Sequence, residues 1–212
     1  MEVTECCRLC AAPTTYFAFA RKRHFVQCQQ CHSVQAITEE LPDPEREKAL
    51  YLTHENDVDD PRYQEFVSPV TNAILAEQTS DKKGLDYGAG PGPVIAYQLA
   101  KKGFDITLYD PFFHINNNAL EAKYDFIISC EVIEHFHQPA TEFARLRSLL
   151  NPGGRLYCMT ELFCESLDFQ NWYYKNDATH VQFYHADSLP LIAKQFGFSD
   201  WRREGRLIVF TA

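Results

Sequence analysis

The stretch Leu85-Asp86-Tyr87-Gly88-Ala89-Gly90-Pro91-Gly92-Pro93-Val94 decides how the rest of the chain is read. Leu85 to Tyr87 reads as the end of a buried strand, the three alternate glycines as a tight turn, and Val94 as the opening of an amphipathic helix. Glycine tolerates φ > 0 and carries no Cβ, so such a turn lets a ligand approach bare backbone. The first N–H groups of the following helix then face that ligand with the positive end of the dipole. A dinucleotide turn would read G-x-G-x-x-G/A, its last small residue letting helix and strand pack closely. Counted from Gly88 that position is Pro93, and the spacing is G-x-G-x-G preceded by Asp86. The plain alternative is a glycine-rich βα turn of an unrelated α/β domain.

Working outward, the pattern is βαβ. A helix from about Pro93 to Lys102 stops at Gly103, a good C-cap, and a second strand, Asp105 to Tyr109, ends in Asp110. An acid about twenty residues beyond the glycines is where a ribose diol is normally held, because a carboxylate accepts two hydroxyl hydrogen bonds at once. An N-cap for the next segment is the other use of an Asp there. Pro111-Phe112-Phe113 offer an apolar face for an adenine. Tyr124 to Cys130 is apolar nearly throughout, as a buried parallel strand is, and runs into Glu131-Val132-Ile133-Glu134-His135-Phe136. Pro139 opens a helix through Leu150, Pro152-Gly153-Gly154 stops it, and Arg155 to Thr160 is the next strand. After a helix from about Asp187 to Gln195, ended by Gly197, Phe198 to Arg203 and Arg206 to Thr211 form a hairpin joined by Glu204-Gly205.

The glycine turn with its preceding acid resembles motif I of the class I S-adenosylmethionine (SAM)-dependent methyltransferases. The order of FD-strand, EVIEH, helix, LLNPGG and strand resembles their fourth and fifth strands. The resemblance covers residues 83 to 160 well and the rest loosely. It implies a Rossmann-like α/β sheet closed by the C-terminal antiparallel hairpin. Too few residues separate Asp110 from Tyr124 for a helix–strand–helix excursion, and Asn116-Asn117-Asn118 signals a turn, so the third strand is expected to be shortened or missing. The implied cofactor is SAM, held by Asp86, Gly88, Ala89, Gly90, Asp110, Pro111, Phe112, Cys130 and Glu131.

The chain has 212 residues and a formal net charge of −9. That length suits one medium domain and a small appendage, and the charge argues against bulk polyanion binding. Acids near the start and the lack of a long apolar run predict neither a signal peptide nor a membrane span, so a cytoplasmic protein without membrane contact is expected. Eight cysteines in a reducing compartment favour metal or thiol chemistry over disulfides.

Cys7-x-x-Cys10 and Cys28-x-x-Cys31 each place two thiolates on one knuckle, and four thiolates complete a closed tetrahedral shell. Short strands at Tyr16–Phe19 and His24–Gln27 flank a basic tip, Arg21-Lys22-Arg23. Residues 1–37 thus resemble a zinc ribbon with a structural Zn²⁺. A cysteine-rich strand pair without metal is the alternative. Cys6 is an adjacent decoy and His32 a less natural fourth ligand. Residues 38–80 read as a helical connector or lid: a helix from Pro44 to Thr53, then pieces Arg62–Val67 and Pro69–Gln78 broken or kinked at Pro69, which either cover the cleft or pack on the sheet edge. The resemblance implies that residues 81–212 form the methyltransferase domain.

For catalysis the candidates are His135 and His180, with His185 as a third, because a base is needed when the acceptor carries a proton to lose. Glu131, Glu134 and His135 have i, i+3, i+4 spacing, and with His180 would make a two-Glu, two-His site for a second divalent ion. In resemblance terms, this set matches the metal site of small-RNA 3′-terminal 2′-O-methyltransferases. Many small-molecule methyltransferases carry the same run without an ion, and that is the favoured expectation. Trp172, Tyr173 and Tyr174 line the acceptor pocket or belong to the core. Cys130, Cys158 and Cys164 read as buried small hydrophobes.

The function expected is methyl transfer from SAM to a small-molecule acceptor, with the ribbon structural or substrate-facing. One alternative is an RNA methyltransferase guided by the ribbon and its basic tip. The other is a non-catalytic, partner-binding protein on the same fold.

Overall fold

A computed structural model describes residues 5–53 and 57–212. Its main sheet has six strands in the order β5-β4-β6-β7-β10-β9. Strands β4 (Gly84–Tyr87), β5 (Ile106–Tyr109), β6 (Tyr124–Cys130) and β7 (Leu150–Met159) are parallel. The hairpin of β9 (Asp200–Glu204) and β10 (Leu207–Thr211) adds the antiparallel edge. As expected from the short spacing, the described residues between β5 and β6 hold no further strand of the sheet. A turn and a 3₁₀ helix, Asn117–Leu120, lead straight into β6. Leu150 leaves α4 (Pro139–Leu149) directly into β7, so Pro152-Gly153-Gly154 lie within the strand rather than before it.

Each face of the sheet carries its own core. On one face α2 (Pro61–Glu77) and α3 (Val94–Ala100) bring Val67, Val70, Ile74, Val94, Ile95 and Leu99 against Phe126, Ile128 and Tyr157. The helix does not break at Pro69: α2 runs through it as one element. Pro69 lies on the exposed side, where the carbonyl it leaves without a donor meets water. Val67, Val70, Thr71 and Ile74 bury one stripe along both halves, and at roughly 1.5–3 kcal/mol for each large apolar side chain this outweighs the lost bond. On the other face, α4 and α5 (Ser188–Phe196) pack Phe143, Leu146, Leu189 and Ile192 against the sheet. Gly197, at φ 76°, ends α5 in a left-handed cap.

The N-terminal strands β1 (Thr14–Ala20) and β2 (Arg23–Cys28) form the expected hairpin, turning on Arg21 and Lys22 alone at φ 53° and 61°. With β3 (Val34–Ala36) they build a second, antiparallel sheet, and its fourth strand is β8 (Gln182–Phe183), from the C-terminal third. Cys7, Leu9, Cys28 and Cys31 belong to the same core cluster as α4 and α5. Phe25, Val34 and Ala36 pack with Phe163, Phe169, Trp172, Tyr174 and Phe183 in a third core. No described helix is long and apolar enough to cross a membrane.

Candidate functional site

Strands β4, β5 and β6 all end at one cleft of about 640 Å³, where an open α/β sheet places its ligands. Asp86, Gly88, Ala89, Gly90, Asp110, Pro111, Phe112, Cys130 and Glu131 all line it, together with His135 and His180. Gly88 and Gly90 sit at φ 85° and 61°, a region L side chains rarely adopt. A Cβ on Gly88 would come within 2.6 Å of Val132, so the turn also depends on glycine for space. The turn is latched to the next strand, since Gly88 and Ala89 N–H both donate to the Tyr109 carbonyl, at 2.9 and 3.1 Å.

Asp110 is buried, and its carboxylate accepts N–H bonds from Gly90 (3.0 Å), Phe112 (2.8 Å) and Phe113 (3.0 Å). It therefore caps its own turn and grips the glycine loop at once. Asp86 is buried beside it with no hydrogen-bond or ion-pair partner among the described residues. Burial, with the Asp110 charge second, pushes its carboxyl up to about 7. Such a group favours a cationic neighbour.

The far end of the cleft is assembled from separate segments. Glu134 and His135 lie on a 3₁₀ turn after β6, and His180 sits on the loop before β8. Glu134, His135 and His180 bring ligand-type atoms within 4.8 Å of one another, and the two imidazole centroids are 4.7 Å apart. Glu131 is not with them. It sits at φ 53° and its carboxylate accepts from Arg206 Nη2 at 2.8 and 2.7 Å, so three of the four residues of the two-Glu, two-His set are brought together. Burial and Glu134 raise the Glu131 carboxyl while Arg206 opposes them.

The carbonyl of Thr179 can only accept, so the 3.0 Å contact fixes a proton on His135 Nδ1, and the Tyr174 carbonyl does the same for His180 Nδ1 at 2.7 Å. In His180 this makes Nε2 the acceptor of the neutral ring. Burial and then the neighbouring His135 pull His180 down to about 3, so it stays neutral at physiological pH. Glu134 is fully buried. Its Oε1 accepts from the Tyr174 hydroxyl while Oε2 has no hydrogen-bond partner among the described residues, and burial pushes the carboxyl up to about 7. His185 lies elsewhere, against Glu165 at 3.2 Å. Trp172 and Tyr174 are core residues shared with the ribbon, and Tyr173 is exposed; none of the three lines the cleft.

Sequence reasoning missed several walls of this site. Glu47 and Tyr51 from α1 (Pro44–Tyr51) and Tyr63 and Val67 from α2 face the cleft, with the Tyr51 ring 5.3 Å from His135. Helical periodicity marks such residues as inward-facing but not what they face. The sequence places Arg23 in the basic tip. It is in fact buried, and its guanidinium donates to the carbonyls of Lys175 (2.8 Å), Asp177 (3.0 Å), Ala178 (2.9 Å) and His180 (3.0 Å). It therefore holds in shape the loop that carries His180, and only Arg21 and Lys22 remain as an exposed tip.

In the ribbon the Sγ atoms of Cys7, Cys10, Cys28 and Cys31 all lie within 4.8 Å of one another, with Cys7–Cys31 at 3.7 Å and Cys10–Cys28 at 3.5 Å. The edge of a tetrahedron with metal–sulfur bonds of about 2.3 Å is ~3.8 Å. Gln30 and Cys31 N–H point at Cys28 Sγ at 3.3 and 3.4 Å. Cys6 is exposed outside the cluster, and His32 turns away to Asp187 at 2.8 Å.

The sequence matches the model of a family described as a methyltransferase domain over residues 60–202. A comparison with curated proteins finds no match. Among solved structures the chain is similar to the 1,6-didemethyltoxoflavin N1-methyltransferase of Burkholderia thailandensis with bound 1,6-didemethyltoxoflavin and S-adenosylhomocysteine. The TM-score is 0.55 at 18% identity, covering 93% of this chain and 97% of that one. It is also similar to human N-acetylserotonin methyltransferase in complex with SAM, with a TM-score of 0.54 at 15% identity over 82% of this chain and 61% of that one. At such identities the likeness to solved structures is one of fold. The family match spans more than half of the chain, and the strand order and glycine turn agree with it: the protein belongs to the methyltransferase domain family and is a SAM-dependent methyltransferase.

Proposed function

We propose that the protein moves the methyl group of SAM to a small-molecule acceptor seated between the glycine turn and the His135–His180 end of the cleft. The observation that carries this reading is the convergence of a bare glycine turn, a strand-end carboxylate and two histidines in one cleft at the carboxyl ends of the strands. Bound SAM supplies an electrophilic methyl on a sulfonium. The protein's part is alignment, worth several kcal/mol when donor and acceptor are held in line.

The residues fit that cofactor. Asp86, buried and without a cation, suits the ammonium of the methionine moiety. Asp110 accepts the ribose hydroxyls, Gly88 to Gly90 let the nucleoside reach backbone, Pro111 and Phe112 supply an apolar wall for the adenine, and Cys130 and Glu131 close the β6 side. On the acceptor side, His135 is the better proton acceptor, being partly exposed with Nδ1 held on the Thr179 carbonyl. His180 is too deeply buried to keep a proton, and its Nε2 orients the acceptor by accepting a hydrogen bond. Glu134, His135 and His180 also offer donors for a divalent ion, but Glu131 is committed to Arg206, so methyl transfer is assigned without one.

The four-cysteine cluster fits zinc, because its sulfur spacing matches a tetrahedral shell and four adjacent thiolates need a dication to offset their repulsion. The zinc would hold the knuckles and hence, through β2 and Arg23, the loop that carries His180.

Calorimetry with S-adenosylhomocysteine tests the cofactor half of this reading. Saturable binding that weakens in Asp110→Ala is expected, and no binding by the folded protein overturns it. A screen of small-molecule hydroxyl, amine and carbon acids for a mass gain of one methyl tests the other half.

A further inference from the structure

A second depression of about 480 Å³ lies beside the cleft, lined by Arg21, Lys22, Arg23, Arg46, Glu40 and Asn176, among others. For a chain of net charge −9 this is an unusual concentration of cations. Its one acid is already committed, since Glu40 accepts from the backbone N–H of His24 and pairs with His24 Nδ1 at 2.7 Å. Arg23 is likewise spent on four carbonyls. Three cationic heads remain. Arg21 donates Nε to Asn176 at 2.9 Å and keeps its terminal nitrogens, and Lys22 and Arg46 have no carboxylate partner among the described residues. The cations crowd one another. Buried Lys175 is lowered by desolvation and then by Arg21 and Arg23. Arg46 also lowers Arg23, against the larger opposing effects of Asp177 and Glu40. Three cationic heads facing one depression make a place for an anion.

The pocket is not remote from the chemistry. In α1, Arg46 faces the depression while the next residue, Glu47, faces the cleft. The loop 176–180 likewise puts Asn176 and Ala178 on one side and His180 on the other. One helix turn and one loop therefore separate the two cavities. Arg21 and Lys22 are fixed at the rim by a two-residue turn, so they are presented with little freedom to lose.

We propose that this pocket binds a phosphoryl group carried by the methyl acceptor, whose organic part reaches past α1 to the His135–His180 end of the cleft. Two guanidinium groups and an ammonium match the multiple oxygens and double charge of a phosphoryl group better than a single carboxylate. The inference rests on the methyl-transfer reading for its biological sense, but its test does not.

Calorimetric titrations of inorganic pyrophosphate and of glucose 1-phosphate, into wild-type protein and into a Lys22→Asn, Arg46→Gln variant, decide it. Asn tolerates the left-handed backbone at position 22 and Arg46 is exposed, so the variant should fold. Both ligands are expected to bind the wild type, and the variant to lose tenfold or more in affinity for each while its affinity for S-adenosylhomocysteine stays within twofold. Absence of saturable binding, or binding unchanged in the variant, overturns the site. Binding of pyrophosphate without glucose 1-phosphate overturns the acceptor assignment in favour of a free inorganic ion. Tighter binding of a single-stranded RNA 20-mer, falling steeply with salt and lost in the variant, overturns it in favour of RNA. Failure to bind S-adenosylhomocysteine, with phosphate binding intact, counts against the methyl-transfer reading and not against the pocket.

Discussion

The two ends of the cleft are built by different rules. The glycine turn and Asp110 come from one βαβ unit, close in sequence, and are joined by backbone bonds from Gly88, Ala89 and Gly90 to the end of β5. The histidine end draws on the 3₁₀ turn after β6, the loop before β8, α1 from the connector, and Arg23 from the ribbon. The first end is rigid because it is local. The second is ordered only when distant parts of the chain are all in place, so damage should propagate differently at the two ends.

The sharpest break is Gly88→Val. With φ at 85° and a Cβ driven into Val132, the turn cannot keep its shape, and affinity for S-adenosylhomocysteine should fall a hundredfold or more by calorimetry. A thermal melt close to wild type would confirm that the damage is confined to that end. Arg23→Met should give the opposite pattern. Four carbonyls lose a charged donor, each such bond being worth about 1.5–3 kcal/mol. The loop carrying His180 then loosens, so kcat should drop at least tenfold while the dissociation constant of S-adenosylhomocysteine changes less than threefold. Equal loss of both would show that the two ends are not independent.

Asp110→Asn keeps the shape but gives up an acceptor and the charge. An affinity loss of roughly tenfold, about 1.4 kcal/mol, is expected, with kcat at saturating SAM unchanged.

The smallest effect is in acid stability. Folded His180 titrates near 3 rather than 6.5, so the unfolded chain binds its proton first and stability is lost as pH falls from 6.5 to about 3. Glu134, raised to about 7, acts oppositely, gaining stability as pH falls from 7 to 4.5. The two offset between 4.5 and 6.5, and buried Asp86, raised to about 7, acts in the same sense as Glu134, so the His180 contribution is read as the difference between wild type and variant. His180→Gln should therefore remove about 1.4 kcal/mol of destabilisation per pH unit in the window from 4.5 to 3.5, measured by denaturant melts.

The same contrast separates what could be read from the amino-acid order and what could not. Gly88, Gly90 and Asp110 are legible because their roles follow from local backbone geometry and strand ends, and the missing third strand from a spacing too short to hold one. Cys7, Cys10, Cys28 and Cys31 are legible because knuckle spacing is itself the geometry. Arg23 was not, since a run of three basic residues looks solvated until a distant loop supplies carbonyls. Glu131 was grouped with Glu134 and His135 by helical spacing, but the chain makes a left-handed step and a 3₁₀ turn there, and Arg206, in the turn of the β9–β10 hairpin, claims the carboxylate. Tyr51 and Glu47 lie in a charge-rich connector where nothing marks the direction they face. Pro69 predicted a break that burial on both sides overrode.

The pairing of β3 with β8 has a consequence for synthesis. The cysteine knuckles leave the ribosome well before the edge strand that completes their sheet. Until then the N-terminal module has one unpaired edge and an uncovered apolar face, so capture of metal would be its main protection against premature association while translation continues.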